Sequence, residues 1–207
     1  MWLGIVITAL AGYLLGNLNG AVCISALMND DVRSHGSGNA GLTNFVRNYG
    51  FSRALYVILI DAGKAVAACL LGGFLLNRFG MWSQGTVIGG LGVIVGHSFP
   101  AFLSFRGGKG ILSGLFVAAV CDWRIALIIL AVFATAYLLS GYVSVGSVLA
   151  ATAFSVSFGV LHWGEPVVMT CGILVGALAV FQHRSNIRRL LSGQEKKTSL
   201  FKKGNGK

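Results

Sequence analysis

Seven apolar runs alternate with short polar connections along the chain: Trp2 to Met28, Ala54 to Leu76, Gly85 to Leu103, Ile111 to Cys121, Ile125 to Ser140, Val143 to Leu161 and Pro166 to Phe181. None carries the two-residue alternation of a barrel strand, so each predicts a helix. A helix of about twenty residues spans a hydrocarbon layer roughly 30 Å thick. The polar positions inside these runs are few and specific. Gly16-Asn17-Leu18-Asn19-Gly20 falls in the second half of the first run, which puts two amides in or near the bilayer, facing other helices. Asp61 and Lys64 sit one helical turn apart in the second run and share a face. A charge in lipid costs about 2.5 to 3.5 kcal/mol on insertion scales, so this pair is expected to face the protein interior as a structural or functional polar cluster. In the third run, Gly85, Gly89, Gly92 and Gly96 form a small-residue stripe for close helix packing, and His97 and Pro100 end the run.

The fourth and fifth runs are separated only by Asp122-Trp123-Arg124, and could be two spans or one long helix. Charge distribution decides. With seven crossings, Arg33, Arg47, Arg53, Arg106, Lys109 and the eight basic residues of the C-terminal segment share one side, against Arg78 and Arg124 on the other. With six, five basic residues face nine and Arg124 is stranded in mid-membrane. The positive-inside rule therefore predicts an all-α, polytopic integral membrane protein with seven transmembrane helices, its N-terminus outside and its C-terminus cytosolic. Residues 1–183 form the membrane domain, with cytosolic loops 29–53 and 104–110; residues 184–207 form a basic helix and a disordered Lys/Gly tail. Because Ile111 to Cys121 is short for a span, the glycine-rich turn before it is expected to dip into a protein-lined cavity. No internal repeat and no cleavable signal peptide are evident, since the first run has no basic segment before it.

Composition agrees with this reading. Mean hydropathy is +0.77 and only 11% of residues are charged, less than half of the roughly 25% usual in soluble domains. Thirty glycines against two prolines suit closely packed helices. A net charge of +10 would raise nucleic acid as a partner in a soluble protein. Here the basic residues sit in connections and the tail, which points to anionic lipid and an anionic substrate and to no nucleic acid. The four cysteines are far apart, with no CxxC or Cys/His spacing, so neither a disulfide framework nor a metal site is expected.

Three polar stretches carry candidate chemistry. His35-Gly-Ser-Gly-Asn-Ala-Gly-Leu-Thr-Asn-Phe-Val-Arg47 has three glycines, Gly36, Gly38 and Gly41, that can take positive φ and turn successive N–H groups toward one point. Ser37, Asn39, Thr43 and Asn44 add neutral donors, and Arg47 a planar cation that fits phosphate. The same composition also suits a flexible loop between helices. Ser104-Phe-Arg-Gly-Gly-Lys-Gly110 brackets Lys109 with Gly107, Gly108 and Gly110, leaving backbone open beside an ammonium; it lacks the first glycine and the Ser/Thr of a Walker A loop. From His183 onward, His183 and Asn186 share a helix face, Arg184 and Arg188 another, with Arg189 following. A histidine with an ordinary pKa near 6.5 suits proton transfer. Ser144 and Ser147 lie just inside the cytosolic end of the sixth run; His35 and His97 are weaker candidates, and His162 on the opposite face reads as structural.

In combination, Ser37-Gly-Asn-Ala-Gly-Leu-Thr-Asn44 with Arg47, Gly96-His-Ser-Phe-Pro100 with Phe105-Arg-Gly-Gly-Lys-Gly110, and His183-Arg-Ser-Asn-Ile-Arg-Arg-Leu-Leu-Ser-Gly193 with Glu195 closely resemble the bacterial acyl-phosphate:glycerol-3-phosphate acyltransferase family, PlsY type. Asp61-Ala-Gly-Lys64 and Tyr142-Val-Ser-Val-Gly-Ser147 also sit where that family has similar residues, so the likeness covers nearly the whole chain. It implies a seven-span inner-membrane enzyme with a cytosolic site. Such an enzyme moves an acyl group from acyl phosphate to the first hydroxyl of glycerol 3-phosphate, forming lysophosphatidate and phosphate. Ser37, Asn39, Thr43, Arg47, Lys109, Ser147, His183 and Asn186 are the positions that carry over. Departures occur at Gly16-Asn-Leu-Asn19-Gly, Leu42 and Ala65, and bear on local helix geometry more than on chemistry.

An acyl phosphate is a mixed anhydride with a good leaving group, so no cofactor, metal or activated serine is expected. The expected catalytic set is Ser37, Arg47, Lys109 and His183. Gly38, Asn39, Gly41, Thr43, Asn44, Gly107, Gly108, Ser144, Ser147, Asn186 and Arg189 are expected to bind phosphate or substrate, and Asp61, Lys64 and His97 to be structural. Lys109 and Arg47 would neutralise phosphate, Ser37 would position by hydrogen bond, and His183 would be general base or phosphate anchor. Expected partners are the two substrates, the bilayer, and enzymes supplying acyl phosphate or using lysophosphatidate, around a monomer. The rival reading is a secondary transporter for an organic phosphate, which would hold substrate at the bilayer midplane between repeats.

Overall fold

The first apolar run folds as two helices rather than one. In the computed structural model, which describes residues 1–197, helix α1 covers Trp2–Gly16 and α2 covers Gly20–Ala26. The two asparagines cause the break. The Asn17 amide donates to the Tyr13 carbonyl at 2.7 Å, and Asn19, in extended backbone, accepts from the Val22 N–H at 3.0 Å as the N-cap of α2. Freed carbonyls at such a break need partners from within the protein, because lipid offers none. Lys64 supplies them, with its ammonium on the Leu18 carbonyl and within 3.5 Å of that of Gly16.

Every regular element among the described residues is helical: α3 (Leu42–Tyr49), α4 (Phe51–Asn77), α5 (Trp82–Ser98), α6 (Ile111–Cys121), α7 (Trp123–Ser140), α8 (Val143–Leu161), α9 (Pro166–Gln182) and α10 (Arg184–Leu191), with two short 3-10 turns. Helix α5 is the centre of one group, packed closely on α1 and α4, and α8 lies between α7 and α9 in the other; α9 returns to α5. The glycine stripe of α5 explains the closeness. A Cβ at Gly85 or Gly89 would stand 2.2 Å from the Gly72 or Ala68 carbonyl of α4, and one at Gly96 would stand 2.1 Å from the Tyr13 carbonyl of α1. The stripe therefore serves two neighbours, its first half α4 and its second half α1. An apolar core of Val87, Val93, Ile94, Val117, Ile125, Phe154, Phe158 and Val175 joins the two groups.

Asp122 separates α6 from α7. Its backbone is extended, and its carboxylate caps α7 by accepting from the Arg124 N–H at 3.0 Å, so the fourth and fifth runs are distinct helices. The first loop also differs from the expected open connection. It contains α3, and Val32 and Phe45 from the loop bury against Ala21, Ala54 and Val57 in a second small core. Consequently α4 begins at Phe51, three residues before the expected Ala54.

Large apolar side chains such as Leu10, Leu59, Phe74, Leu138, Val160 and Leu174 point outward, as they do in a protein whose surroundings are lipid. Among the described residues, five helical segments are long and apolar enough to cross a membrane, and α9 joined to α10 across a 50° bend makes a sixth. Helix α6, with 11 residues, is shorter than a full span. This is a membrane protein with five to six crossings by length. The expected disordered tail lies in part outside the described residues, at 198–207.

The packing of α5 generates a direct test. Gly96→Val places side-chain atoms against the Tyr13 carbonyl and the Gly16 Cα, and should destabilise the detergent-solubilised protein by about 1 to 3 kcal/mol as overpacking does. Gly63→Ala, at a position of α4 with nothing within 4 Å of the added Cβ, should leave the melting temperature unchanged or slightly higher. Equal melting of G96V and wild type would refute the close-contact account.

Candidate active site

The lysine loop is shaped by what surrounds its glycines. After α5 the chain turns at Pro100 and passes through Ser104 and Phe105, both in the left-handed region with φ of 54° and 59°. It then doubles back so that the Gly108 N–H donates to the His97 carbonyl at 3.0 Å. A Cβ on Gly107 would lie 2.0 Å from that carbonyl oxygen, and one on Gly108 would lie 2.2 Å from His97 Nε2, so side chains are excluded here by space. Gly110, at φ 78°, opens α6, whose first N–H groups follow directly after Lys109.

Lys109 meets the C-terminal segment. Its ammonium donates to Asn186 Oδ1, the Asn186 amide donates to Glu195 Oε1 at 2.7 Å, and Arg189 Nε donates to Glu195 Oε2 at 2.7 Å. His183 stands at the bend between α9 and α10, 3% exposed, with Nδ1 donating to the Ala179 carbonyl at 2.7 Å. That bond assigns the ring proton to Nδ1 and leaves Nε2 with a lone pair.

Charges crowd this site. Burial first, and then the positive charges of Arg189 and Arg47, lower the Lys109 pKa to about 8, although Glu195 opposes them. Burial and the neighbouring Lys109 charge lower His183 to about 4, so its imidazole is neutral at physiological pH. Burial would raise Glu195, but hydrogen bonds from Asn186 and Arg189 outweigh it and hold the carboxyl below its ordinary value. Ser144 Oγ is buried on the first turn of α8 without a hydrogen bond of good geometry, though close enough to Glu195 to help lower its pKa. Lys109 and Arg189 thus lie within reach of one carboxylate, with the Arg47 charge also acting on Lys109.

The first loop lies against the second. A Cβ on Gly108 would come within 2.8 Å of the Ala40 carbonyl, which also accepts from the Asn19 amide at 3.0 Å. Gly36 and Gly38 do take positive φ, at 59° and 69°, but Gly41 is extended at φ −138° and serves as the N-cap of α3. Asn44 is 2% exposed and organises the loop. Its amide donates to the Val32, His35 and Asn39 carbonyls at 3.0, 3.0 and 3.1 Å, and its oxygen accepts from the Ser37 N–H at 3.0 Å. Those bonds occupy the Asn44 side chain and the Ser37 N–H, two of the groups that the sequence suggested for phosphate. Ser37 is exposed, Asn39 and Thr43 are half-buried, and Arg47 projects from the last turn of α3. His35 pairs instead with Asp30 at 2.9 Å, beside Tyr49.

Two openings adjoin this cluster. A polar cleft of about 450 Å³ lies between the loops, lined by Asp31, Arg33, Ser34, Gly38, Leu103, Ser104 and Arg106. A narrow apolar crevice of about 20 Å³ starts at Gly110, beside Lys109, and runs between α6, α7, α8 and α9 past Gly114, Ala150, Gly176 and Ala179. Beneath both loops, Asp61, Lys64 and His97 form a buried cluster, with Lys64 Nζ 2.8 Å from Asp61 Oδ1 and 2.8 Å from His97 Nδ1.

The structure gathers Arg47, His183, Asn186 and Arg189 around Lys109 and places Ser37, Asn39 and Thr43 on the adjoining loop. Sequence reading assigned no role to Glu195, the carboxylate that orders this cluster. Its signal was available: it is the only acidic residue from His183 to the end of the chain.

The sequence profile described as glycerol-3-phosphate acyltransferase matches residues 6–193. The glycerol-3-phosphate acyltransferase of Thermoanaerobacter sp. (strain X514) is 40% identical over 193 residues, covering 93% of this chain and 94% of that protein. The enzyme of the same name from Anaeromyxobacter sp. (strain Fw109-5) is 40% identical over 198 residues, with 94% and 96% covered. Among solved structures, PlsY (YgiH), an integral membrane glycerol 3-phosphate acyltransferase in its glycerol 3-phosphate form, superposes with a TM-score of 0.85 at 31% identity, covering 96% of this chain and 99% of that one. Its lysophosphatidic acid form gives 0.81 at 32% identity, covering 94% and 95%. With the match running over almost its whole length, the chain belongs to the glycerol-3-phosphate acyltransferase family.

Proposed function

We propose that this protein transfers a fatty acyl group from acyl phosphate to the sn-1 hydroxyl of glycerol 3-phosphate, releasing lysophosphatidate and inorganic phosphate. The observation that carries the reading is the half-buried Lys109, hydrogen-bonded to Asn186 and within reach of the Arg189 and Arg47 charges, with the neutral His183 near it. The cations hold phosphate and stabilise the charge that collects on the leaving group. Ser37 and Asn39 on the first loop hydrogen-bond the second phosphorylated substrate. The apolar crevice beginning at Gly110, about 20 Å³ as it stands, widens between α6, α8 and α9 to receive the acyl chain and brings the acyl carbon beside Lys109.

The hydroxyl oxygen attacks the acyl carbon, an ester C–O bond forms and the C–O bond to phosphate breaks. His183 Nε2 accepts the hydroxyl hydrogen bond and orients it. With a pKa of about 4 it is a weak base, so the proton finishes on the departing phosphate. Binding energy and orientation supply the remaining rate enhancement.

The same reading assigns seven crossings, with α6 and α9 as the two short ones, the N-terminus outside and the site at the cytosolic face of a bacterial inner membrane. Support comes from the basic loops and α10 meeting at one end of the helices, while Arg78 and Arg124 stand at the other ends of α4 and α7. Residues 1–183 act as the membrane domain and 184–207 as its cytosolic extension. One chain supplies every group named, which supports a monomer. The transporter reading needs a midplane site between repeats; the cations here belong to loops at the helix ends, and the family is one of transferases.

Purified protein given glycerol 3-phosphate should release phosphate with acyl phosphate and not turn over acyl-CoA or acyl carrier protein. Turnover only with a thioester would overturn the assigned donor. Lys109→Met should lower kcat/KM by about a hundredfold or more, as loss of a charge-stabilising donor does, and near-wild-type activity would remove Lys109 from the mechanism. The sign of the pH dependence also follows. Lys109 is an ammonium below about 8 and loses its proton above that value, so kcat/KM for glycerol 3-phosphate should fall as pH rises through about 8. Lys109→Arg keeps its charge to beyond about pH 12, and whatever activity it retains should lack this alkaline limb.

A further inference from the structure

We infer that His97 is a positioning residue that locks the two phosphate loops together through an Nε2–H facing the seam between Gly108 and Ala40. Three observations on different elements converge on it. First, the ring's orientation and tautomer are set from below. Lys64 Nζ lies 2.8 Å from Asp61 Oδ1 and is therefore an ammonium, a group that only donates. Its protons go to Asp61, to the Leu18 carbonyl and to His97 Nδ1 at 2.8 Å, so Nδ1 accepts and the ring proton is on Nε2. Asp61 Oδ1, 3.8 Å from His97 Nδ1, is occupied by Lys64 and by the Gly20 N–H at 3.1 Å.

Second, the opposite edge of the ring meets the lysine loop. His97 Nε2 and the Ala40 carbonyl flank the same face of Gly108, at 2.2 and 2.8 Å from where its Cβ would be, while the Gly108 N–H donates to the His97 carbonyl at 3.0 Å. Third, Ala40 is tied to the same foundation, since its carbonyl accepts from Asn19, the residue that starts α2 after the break that Lys64 stabilises. Asp61, Lys64 and His97 are 2%, 4% and 4% exposed, so the cluster contributes from beneath the site and does not touch substrate. Its effect is to fix the distance between the loop that bears Ser37 and the loop that bears Lys109. This inference deepens the acyl-transfer reading and rests on it for its kinetic readout alone.

Two amide substitutions separate the edges of the ring. In His97→Asn the shorter side chain sets its amide oxygen near the position of Nδ1 and keeps the acceptor for Lys64, whereas in His97→Gln the longer one sets an amide N–H near the position of Nε2. Both variants are made in a background with the four native cysteines replaced, with spin labels at Ser34→Cys and Arg106→Cys, one on each loop. The expected result is a narrow inter-label distance distribution in wild type and H97Q and a broadened one in H97N. In parallel, kcat should fall about a hundredfold in H97N, the order expected for a misplacement of about 1 Å, with a smaller change in KM for glycerol 3-phosphate and substantial recovery in H97Q. An H97N variant that matches wild type in both measurements overturns the inference. So does the reverse pattern, H97N retained and H97Q lost, because His97 would then act only as an acceptor for Lys64. Should H97N not assemble, Gly108→Ala tests the same seam, because Gly108 has no positive φ and the added methyl meets the His97 ring and the Ala40 carbonyl first; it should broaden the distances as H97N does. Wild-type protein inactive with acyl phosphate would sink the acyl-transfer reading, and the distance measurement would then decide the role of His97 alone.

Discussion

Like charges held close together in a half-buried site are the constraint on which this structure turns. Arg189 and Arg47 each repel Lys109, and Glu195 offsets part of that repulsion while pairing with Arg189. Repulsion of this kind is costly where water screens it poorly. The fold tolerates it because the three cations come from three separate elements, each anchored elsewhere: Arg47 on α3, Lys109 between α5 and α6, and Arg189 on α10. None can relax away without disturbing the packing that carries it. The remaining positive potential is what the proposed function uses to hold phosphorylated substrates.

Building such a site among membrane helices also requires irregular backbone, which lipid does not tolerate uncompensated. The break at Asn17 to Asn19, the doubled-back lysine loop and the 50° bend at His183 are three such places. Each is satisfied internally: the break by Lys64 and the side chains of Asn17 and Asn19, the lysine loop by the His97 carbonyl, and the bend by His183 Nδ1 donating to the Ala179 carbonyl. The buried Asp61–Lys64 pair therefore belongs with the backbone irregularity it supports. The glycine stripe of α5 has the matching role in the apolar layer, drawing α1 and α4 close enough for their loops to meet over His97.

Much of this was legible in the residue pattern, and the exceptions have identifiable causes. Apolar length predicted every long helix, and the count of basic residues on each side, not Asp122 itself, divided α6 from α7 where the structure shows Asp122 capping α7. Helix α3 was hidden under the glycine and asparagine content around it, although Leu42, Phe45, Val46 and Tyr49 carry helical spacing. Asn44 shows a firmer limit: an amide suited to phosphate is equally suited to backbone carbonyls, and only burial tells them apart. The polar character of the first run was plain, but whether its asparagines would face neighbours within one helix or break it depended on Lys64, far along the chain on α4. His97 looked like the end of a span because its two partners, Lys64 and the lysine loop, are local to it only after folding.

The most direct test of the charge account is the proton balance of substrate binding. Glycerol 3-phosphate, in its dianionic form at about pH 8, should be titrated by calorimetry into the purified protein in buffers of different ionisation enthalpy. If Lys109 titrates near 8 because burial and neighbouring cations disfavour its charge, the bound dianion raises its pKa and each binding event takes up about half a proton from the buffer. Binding with no proton exchange, or with release, would contradict the account, because Lys109 would then already be fully charged or would not meet the phosphate at all.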